Sequence, residues 1–306
     1  MTSPPRSSPA RRAARPLALA ALAPLSGCTL ELFEPAGAIA SQERTLILAA
    51  LGLMMLVVVP VIVLTLWFAW RYRAGNARAS YAPTWSHSTR IEIVVWAVPC
   101  VIVVILGAMI LRTTPELDPY RPLGSDVAPL RVQVVALDWK WLFIYPDYGV
   151  ASVNRLEIPA GRPIAFELTA QSLMNSFFVP RLGSQVYAMA GMRTRLHLVA
   201  DVPGTYPGLS AAFSGEGFSD MHFDVVATSR DAFDDWITET RRAPRTLDAA
   251  TYRAMAVPGI APAPLTYAGV EPGLFDGVVD RFMRGPGAAQ ICTPAVAQAA
   301  PTVRTE

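Results

Sequence analysis

Two stretches decide the fold of the larger part of this chain: Ser172–Leu198, SLMNSFFVPRLGSQVYAMAGMRTRLHL, and Gly208–Val225, GLSAAFSGEGFSDMHFDV. Both contain short runs of β-branched and aromatic residues, several of which alternate with polar residues as half-buried strands do. Similar runs include RVQVVALDWKWLFIY (131–145) and IAFELTA (164–170), and turns such as Pro159–Gly161 and Pro203–Thr205 separate the runs. Closely spaced strands over about 100 residues predict an antiparallel sandwich or barrel.

The motifs WKW (139–141), MNSFF (174–178), PRLGSQVYAMAGM (180–192) and SGEGFSDM (214–221) resemble subunit II of the haem-copper terminal oxidases. The resemblance covers residues 25–285 and implies a cupredoxin-type Greek-key barrel. Copper-bearing members, which oxidise cytochrome c, have a His before the SFF/W-V-P segment. They also have a later Cys-x-Glu-x-Cys-Gly-x-x-His-x-x-Met run.

At the copper-ligand positions of that pattern, this chain departs from the family's chemistry and keeps only its last residue. The occupants are Asn175 for the first His, Ser210 and Ser214 for the two Cys, Ala212 for the Glu, Phe218 for the second His, and the retained Met221. Soft thiolates and imidazoles are the side chains that bind copper, and amide, hydroxyl, methyl and phenyl groups do not replace them. The chain therefore resembles the quinol-oxidising branch, specifically subunit II of cytochrome bo-type ubiquinol oxidase.

The N-terminal residues have the layout of a bacterial signal peptide. Residues 1–27 contain no acid. Their four arginines precede an apolar run, Leu17–Leu25. Leu25-Ser26-Gly27-Cys28 resembles a lipobox, which implies that Cys28 becomes a lipidated, palmitate-bearing first residue of a mature segment 28–44. An ordinary cleaved signal with an accidental Cys, or an uncleaved arm, remains the alternative.

Two uncharged runs, 45–70 and 93–111, predict membrane helices at 45–70 and 92–112. The loop between them, 71–91, carries only positive charge (Arg71, Arg73, Arg78 and Arg90), whereas the flanking segments balance acids and arginines. The positive-inside rule therefore places this loop in the cytoplasm and both ends outside the inner membrane. A lipid anchor on Cys28 would also lie outside, in agreement with this topology.

The predicted domain order continues with a periplasmic cupredoxin-like domain at 125–228, a helical extension at 229–284 and a disordered tail at 285–306. Thr228 and Asp231 resemble a capping box that begins a helix, and Arg241 and Arg242 suit its end. A second helical piece is predicted over Pro272–Met283. The fold class is thus a membrane α-helical hairpin joined to an all-β barrel with a short C-terminal helical extension.

Composition excludes several classes of protein. The chain is 52% apolar with a mean hydropathy of +0.34, which is too hydrophobic for an ordinary soluble domain. Its three cysteines offer neither a disulfide framework nor a Cys-x-x-Cys metal spacing. Without the four signal arginines the formal charge falls from +2 to −2, which argues against a nucleic-acid partner. No P-loop or G-x-S-x-G motif occurs.

A relocated copper site is a hypothesis that the sequence disfavours. Its ligands would come from His197, His222, Met174, Met192 and Met221. His222 follows Met221 directly, so on a strand the two side chains point to opposite faces. His197 alternates with Arg193 and Arg195, which predicts a solvated or subunit-facing position.

Glu92 is the strongest single functional candidate. It opens the second predicted span at its cytoplasmic end, where an acid is costly and often marks an ion path. The plainer interpretation is an interfacial glutamate that is hydrated or paired with Arg90. In the family, an acid at this position lies at the mouth of a proton-uptake channel, which implies that Glu92 helps to deliver protons.

The aromatic segment Leu137–Gly149 is interpreted as packing and interface area. Lys140, the one lysine in the chain, is attributed to genome composition.

The resemblance implies subunit II of a proton-pumping ubiquinol oxidase that reduces dioxygen to water. The haems, the catalytic copper and the quinol site would belong to subunit I, and this chain would carry no cofactor. The alternatives are a cytochrome c oxidase subunit II, which needs the missing copper ligands, and a stand-alone periplasmic cupredoxin-like lipoprotein that binds a protein partner.

Overall fold

The computed structural model describes residues 31–80, 82, 84–260 and 263–283. The predicted signal peptide, the predicted lipidation site Cys28 and the predicted tail 285–306 lie outside the described residues.

Two long apolar helices precede the β-domain: α1, Ala38–Arg71, and α2, Thr89–Thr113. Both are long and apolar enough to cross a membrane, and nearly all their side chains are exposed in the isolated chain. Helix α1 has 34 residues and is therefore about 51 Å long at 1.5 Å per residue, well beyond the ~30 Å of a bilayer's apolar core. Its first turns project towards the β-domain and contact it.

Within the described residues, thirteen strands follow. They are β1 Leu130–Leu137, β2 Lys140–Tyr145, β3 Val150–Val153, β4 Arg155–Pro159, β5 Ile164–Ala170, β6 Asn175–Phe178, β7 Val186–Ala188, β8 Thr194–Leu198, β9 Gly204–Ser210, β10 His222–Thr228, β11 Thr246–Leu247, β12 Leu265–Tyr267 and β13 Gly269–Val270. One sheet has the order β12-β3-β2-β1-β5-β8, a second has β4-β10-β9-β6-β7, and β11 pairs with β13.

The predicted antiparallel arrangement is wrong for two pairings of the barrel. Strand β1 runs parallel to β5, and β4 runs parallel to β10. The chain passes from one sheet to the other between β3 and β4 and again between β4 and β5, so strands distant in sequence become neighbours. The two sheets form the predicted barrel of cupredoxin type, and the predicted fold class is confirmed.

An aromatic cluster fills the space between the sheets. Trp141, Phe143, Phe177 and Phe223 are 3% exposed or less. The rings of Phe177 and Phe223 stack with centroids 5.0 Å apart, and Trp141 meets the edge of Phe177 at 5.3 Å. This core fixes the strand ends from which the candidate site is built.

The C-terminal extension folds as α3 (Arg230–Thr240), α4 (Ala249–Met255) and α5 (Leu274–Met283), with β11–β13 between them. Helix α4 was not predicted. The predicted cap Thr228 is wrong by one residue, because Ser229 is the N-cap and its Oγ accepts the Ala232 N–H at 3.3 Å. Thr228 instead ends β10.

A second hydrophobic core joins the extension to the outer face of the larger sheet. The sheet contributes buried residues such as Val135 and Leu142, and the extension covers them with Tyr252, Phe275 and Val278. The extension is therefore an integral layer of the domain.

Candidate functional site

The positions predicted to replace copper ligands come together at one end of the barrel. Asn175 is the first residue of β6 and Ser210 is the last of β9, and these strands pair antiparallel. Ser210 Oγ donates to Asn175 Oδ1 at 3.1 Å, and Asn175 Nδ2 donates to the Leu173 carbonyl at 3.1 Å. Both side chains are almost fully buried. A hydroxyl–amide pair thus joins the two strands at the first two of these predicted positions.

The remaining positions line the same loop, 211–221, between β9 and β10. Ser214 and Met221 are buried, and Ser214 Oγ lies 4.0 Å from Met221 Sδ. The Ser210 N–H donates to the Met221 carbonyl at 3.2 Å, which closes the base of the loop. Phe218 packs edge-on against Phe213 with centroids 5.6 Å apart, and Ala212 is half-buried. The loop is therefore folded on itself through hydrogen bonds and ring contacts.

The side chains that meet here are not those that copper prefers as ligands. One amide, two hydroxyls and one thioether converge, and none supplies a thiolate or an imidazole. Across the described ranges, no group of three His, Cys, Asp or Glu side chains could hold a metal ion. The β1–β2 turn, the β5–β6 loop and the loop 211–221 are called the end loops of the barrel. Hydrogen bonds close them.

The side chains considered for a relocated site stay apart from one another. Met221 is buried while His222 is exposed, with His222 Nε2 2.7 Å from the Ser219 carbonyl oxygen, so the predicted opposite orientation is confirmed. Met174 and Met192 are exposed. His197 shares a face with Arg195 as predicted, but the linker after α2 covers that face, and His197 Nδ1 lies 3.0 Å from the Pro119 carbonyl oxygen.

Trp139 is the residue whose role the sequence did not reveal. It occupies the β1–β2 turn with φ of +68°, a conformation uncommon for residues other than glycine. Its Nε1–H donates to the Ser214 carbonyl at 3.1 Å. Its ring lies so close to Gly217 that a Cβ there would come within 2.4 Å of Trp139 Cδ2. The predicted packing role is therefore incomplete, since Trp139 also closes the loop by a hydrogen bond.

Lys140 likewise has a structural role that the composition argument missed. Its side chain is 8% exposed, and Nζ donates to the Val257 carbonyl at 2.7 Å. Burial lowers the pKa of Lys140, and the nearby charge of Asp138 opposes that shift. The contact joins β2 to the chain that follows α4.

Glu92 lies far from these loops. It is exposed in the first turn of α2, and its backbone N–H donates to the Ser88 carbonyl at 3.0 Å. Helix α2 has 25 residues and is about 37 Å long, with Glu92 at one end and the linker to the β-domain at the other. The structure therefore separates the candidate proton-uptake residue from the end loops of the barrel.

Comparison with known proteins gives several strong matches. The family model described as the COX aromatic rich motif matches residues 241–285, most of the C-terminal extension. The cytochrome bo(3) ubiquinol oxidase subunit 2 of Pseudomonas aeruginosa is 50% identical over 266 residues, covering 87% of this chain and 80% of that protein. The ubiquinol oxidase subunit 2 of Acetobacter aceti is 48% identical, covering 85% of each chain.

Among solved structures, the periplasmic domain of subunit II of cytochrome oxidase from Bradyrhizobium japonicum matches 39% of this chain and 96% of that domain. The identity is 19% and the TM-score is 0.36. The sequence relatives, by contrast, are close and extend over most of both chains. The chain belongs to the family of subunit 2 of the cytochrome bo(3) ubiquinol oxidases.

Proposed function

We propose that this chain is the second subunit of a proton-pumping terminal oxidase that takes electrons from ubiquinol and reduces dioxygen to water. The family carries the general assignment. The observation that supports a quinol donor in particular is the buried Asn175–Ser210 hydrogen bond, which occupies the position of a metal-ligand pair. The haems, the catalytic copper and the quinol site belong to subunit I.

An oxidase assay on the intact complex tests this function. The complex is purified with this chain in place, and oxygen uptake is measured with ubiquinol and, separately, with reduced cytochrome c. Ubiquinol is expected to support turnover, and no mixed-valence copper signal is expected by EPR. Rapid oxidation of cytochrome c together with that signal would show that the barrel carries copper. Purification without a haem-bearing partner would instead point to a stand-alone protein.

Glu92 is the residue of this chain proposed to serve the reaction directly, by passing protons from the cytoplasm to subunit I. Its exposed place in the first turn of α2 supports this role, because a neighbouring subunit can cover it there. The charged residues of the loop 71–91 are all arginines, which supports a cytoplasmic location for that end of α2. A carboxylate at such a boundary can exchange protons between water and a buried path.

Glu92→Ala is expected to slow ubiquinol oxidation severalfold in the assembled complex, and Glu92→Asp is expected to retain most of the activity. Glu116→Ala is the matched control, because Glu116 is an exposed acid just beyond the opposite end of α2. Stopped-flow haem reduction and steady-state oxygen uptake give the rates. Unchanged rates in Glu92→Ala would rule out the proton-uptake role.

The mature chain is proposed to begin at a lipidated Cys28 in the inner membrane, with the β-domain in the periplasm. The described chain starts three residues later, where Glu31 and Glu34 each lie 3.8 Å from Arg181 of the β-domain. The first described residues thus lie beside the end of α1 that meets the β-domain, which supports an anchor on the same side. Intact-mass measurement should show fatty acyl groups that Cys28→Ala lacks, and equal masses after allowing for the substitution would disprove lipidation.

A further inference from the structure

The C-terminal extension is tied to the end loops of the barrel through Lys140. The Lys140 ammonium donates to the Val257 carbonyl at 2.7 Å, just beyond the end of α4. The Gly259 N–H also approaches the Asp138 carbonyl at 3.4 Å. A buried ammonium group loses its hydration and needs a hydrogen-bond acceptor in return. This contact therefore fixes the β1–β2 turn against the extension.

A second connection runs from α4 to the β5–β6 loop. The hydroxyl of Tyr252, which is 6% exposed, donates to Gln171 Oε1. The neighbouring Ser172 Oγ donates to Asp138 Oδ1, and the Gln171 N–H donates to the Ala136 carbonyl at 2.8 Å. The loop that leads to Asn175 and the turn that carries Trp139 are thus attached to each other and to the extension.

Trp139 connects the β1–β2 turn to the loop 211–221. It bonds the Ser214 carbonyl through its indole N–H and lies against Gly217. Its positive φ is unfavourable for a residue other than glycine and persists only when surrounding contacts determine it. The two adjacent residues supply such contacts, since Asp138 bonds Ser172 and Lys140 bonds Val257.

The extension is a firm support for these contacts because it shares a hydrophobic core with the larger sheet. Tyr252 belongs to the same buried core as Leu137, the last residue of β1, so packing holds its ring in addition to the hydrogen bond of its hydroxyl. The same core contains Leu247 and Phe275. Movement of α4 relative to the sheet would expose this apolar surface.

We infer that the aromatic-rich C-terminal extension is a brace that fixes the end loops from outside, a role that metal–ligand bonds play in a copper-bearing barrel. Lys140 and Tyr252 are the positioning residues, and Trp139 is the link through which they act on the loop 211–221. This assignment goes beyond the proposed function and does not depend on which electron donor the complex uses.

Hydrogen exchange of the intact complex, followed by mass spectrometry, tests the brace. The informative amides are Ala211, which bonds the Ser176 carbonyl, and Phe218, which bonds the Gly215 carbonyl. The double variant Lys140→Met/Tyr252→Phe is expected to exchange these amides about tenfold faster, because two hydrogen bonds are lost. Tyr267→Phe is the matched control, since Tyr267 is buried in the same extension but pairs with Ala151 of β3.

A double-mutant cycle then tests the route through Trp139. In a Trp139→Phe background the loop 211–221 has already lost its contact with the turn. Adding Lys140→Met and Tyr252→Phe is therefore expected to change the exchange rates of the Ala211 and Phe218 amides little further. Equal acceleration in both backgrounds would show that the extension does not act through Trp139. Unchanged loop exchange in the double variant, with faster exchange confined to 249–259, would overturn the brace. If the double variant does not assemble, the two single variants are compared in the same way.

Discussion

The Asn175–Ser210 pair shows how two polar side chains that do not bind copper can join two strands by a buried hydrogen bond. Each is buried, and each satisfies a hydrogen-bonding group of the other or of the nearby backbone. Buried polar atoms without partners would cost about 1–3 kcal/mol each. We therefore expect loss of the pair to reduce stability and to leave electron transfer unchanged.

Ser210→Ala is expected to destabilise the chain by about 1 kcal/mol, because Asn175 Oδ1 loses its buried donor. Ubiquinol oxidation per assembled complex is expected to remain unchanged. Ser219→Ala, at an exposed serine of the same loop, serves as the control. Thermal unfolding and oxygen uptake are measured on the same preparations. Loss of turnover without loss of stability would assign the Ser210 hydroxyl a part in the reaction.

At the scale of single residues, the sequence indicated which metal-binding side chains are missing, but it did not reveal the contacts that Trp139 and Lys140 make. The positions without thiolates and imidazoles were identified through the family resemblance, and the structure brings Asn175, Ser210, Ser214 and Met221 together. Trp139 and Lys140 were not recognised, because their partners Ser214 and Val257 lie 75 and 117 residues away in sequence. Neither contact has a local periodicity or motif that could reveal it.

Among the elements, alternating apolar and polar residues predicted the strands and long uncharged runs predicted the two long helices, while the start of α3 depended on a single hydrogen bond. The helix α3 begins after Ser229, although Thr228 fitted the capping pattern one residue earlier. Strand β10 pairs with β4 as far as Thr228 and thereby fixes that residue in extended conformation. Tertiary pairing therefore decided between two adjacent caps that the sequence alone did not distinguish. The parallel pairings were missed for the same reason, since sheet neighbours depend on the whole fold.

Ser229→Ala is expected to lower the free energy of unfolding by about 1 kcal/mol, because the Ala232 N–H at the start of α3 loses its acceptor. Thr228→Val is the matched comparison. Thr228 Oγ1 is buried and has no hydrogen-bond partner among the described residues, so its removal is expected to be neutral or slightly stabilising. Chemical denaturation of the purified chain gives both values. A larger loss in Thr228→Val than in Ser229→Ala would contradict the observed cap.

At the scale of the whole molecule, the decisive feature is the joint between α1 and the β-domain. The Ala40 N–H donates to the Leu182 carbonyl at 3.3 Å, and the Asp201 N–H donates to the Ala36 carbonyl at 2.8 Å. Glu43 of α1 accepts a hydrogen bond from Ser184 on the same face of the β-domain. Helix α1 therefore begins against the β-domain and is attached to it, a contact that the prediction of a periplasmic segment 28–44 followed by a membrane helix at 45–70 did not include.

Gly37 makes this close approach possible, and Gly37→Ala is expected to open the joint. A Cβ at Gly37 would lie 2.3 Å from the Val199 carbonyl oxygen, a backbone atom that cannot move away cheaply. Overpacking of this kind costs about 1–3 kcal/mol. Gly52→Ala is the control, because it lies within α1 with no atom inside 4 Å of the added Cβ. Hydrogen exchange at Ala40 and Asp201 in the assembled complex should accelerate in Gly37→Ala alone. Equal protection in both variants would mean that the β-domain holds its position through other subunits and that its joint with α1 contributes little.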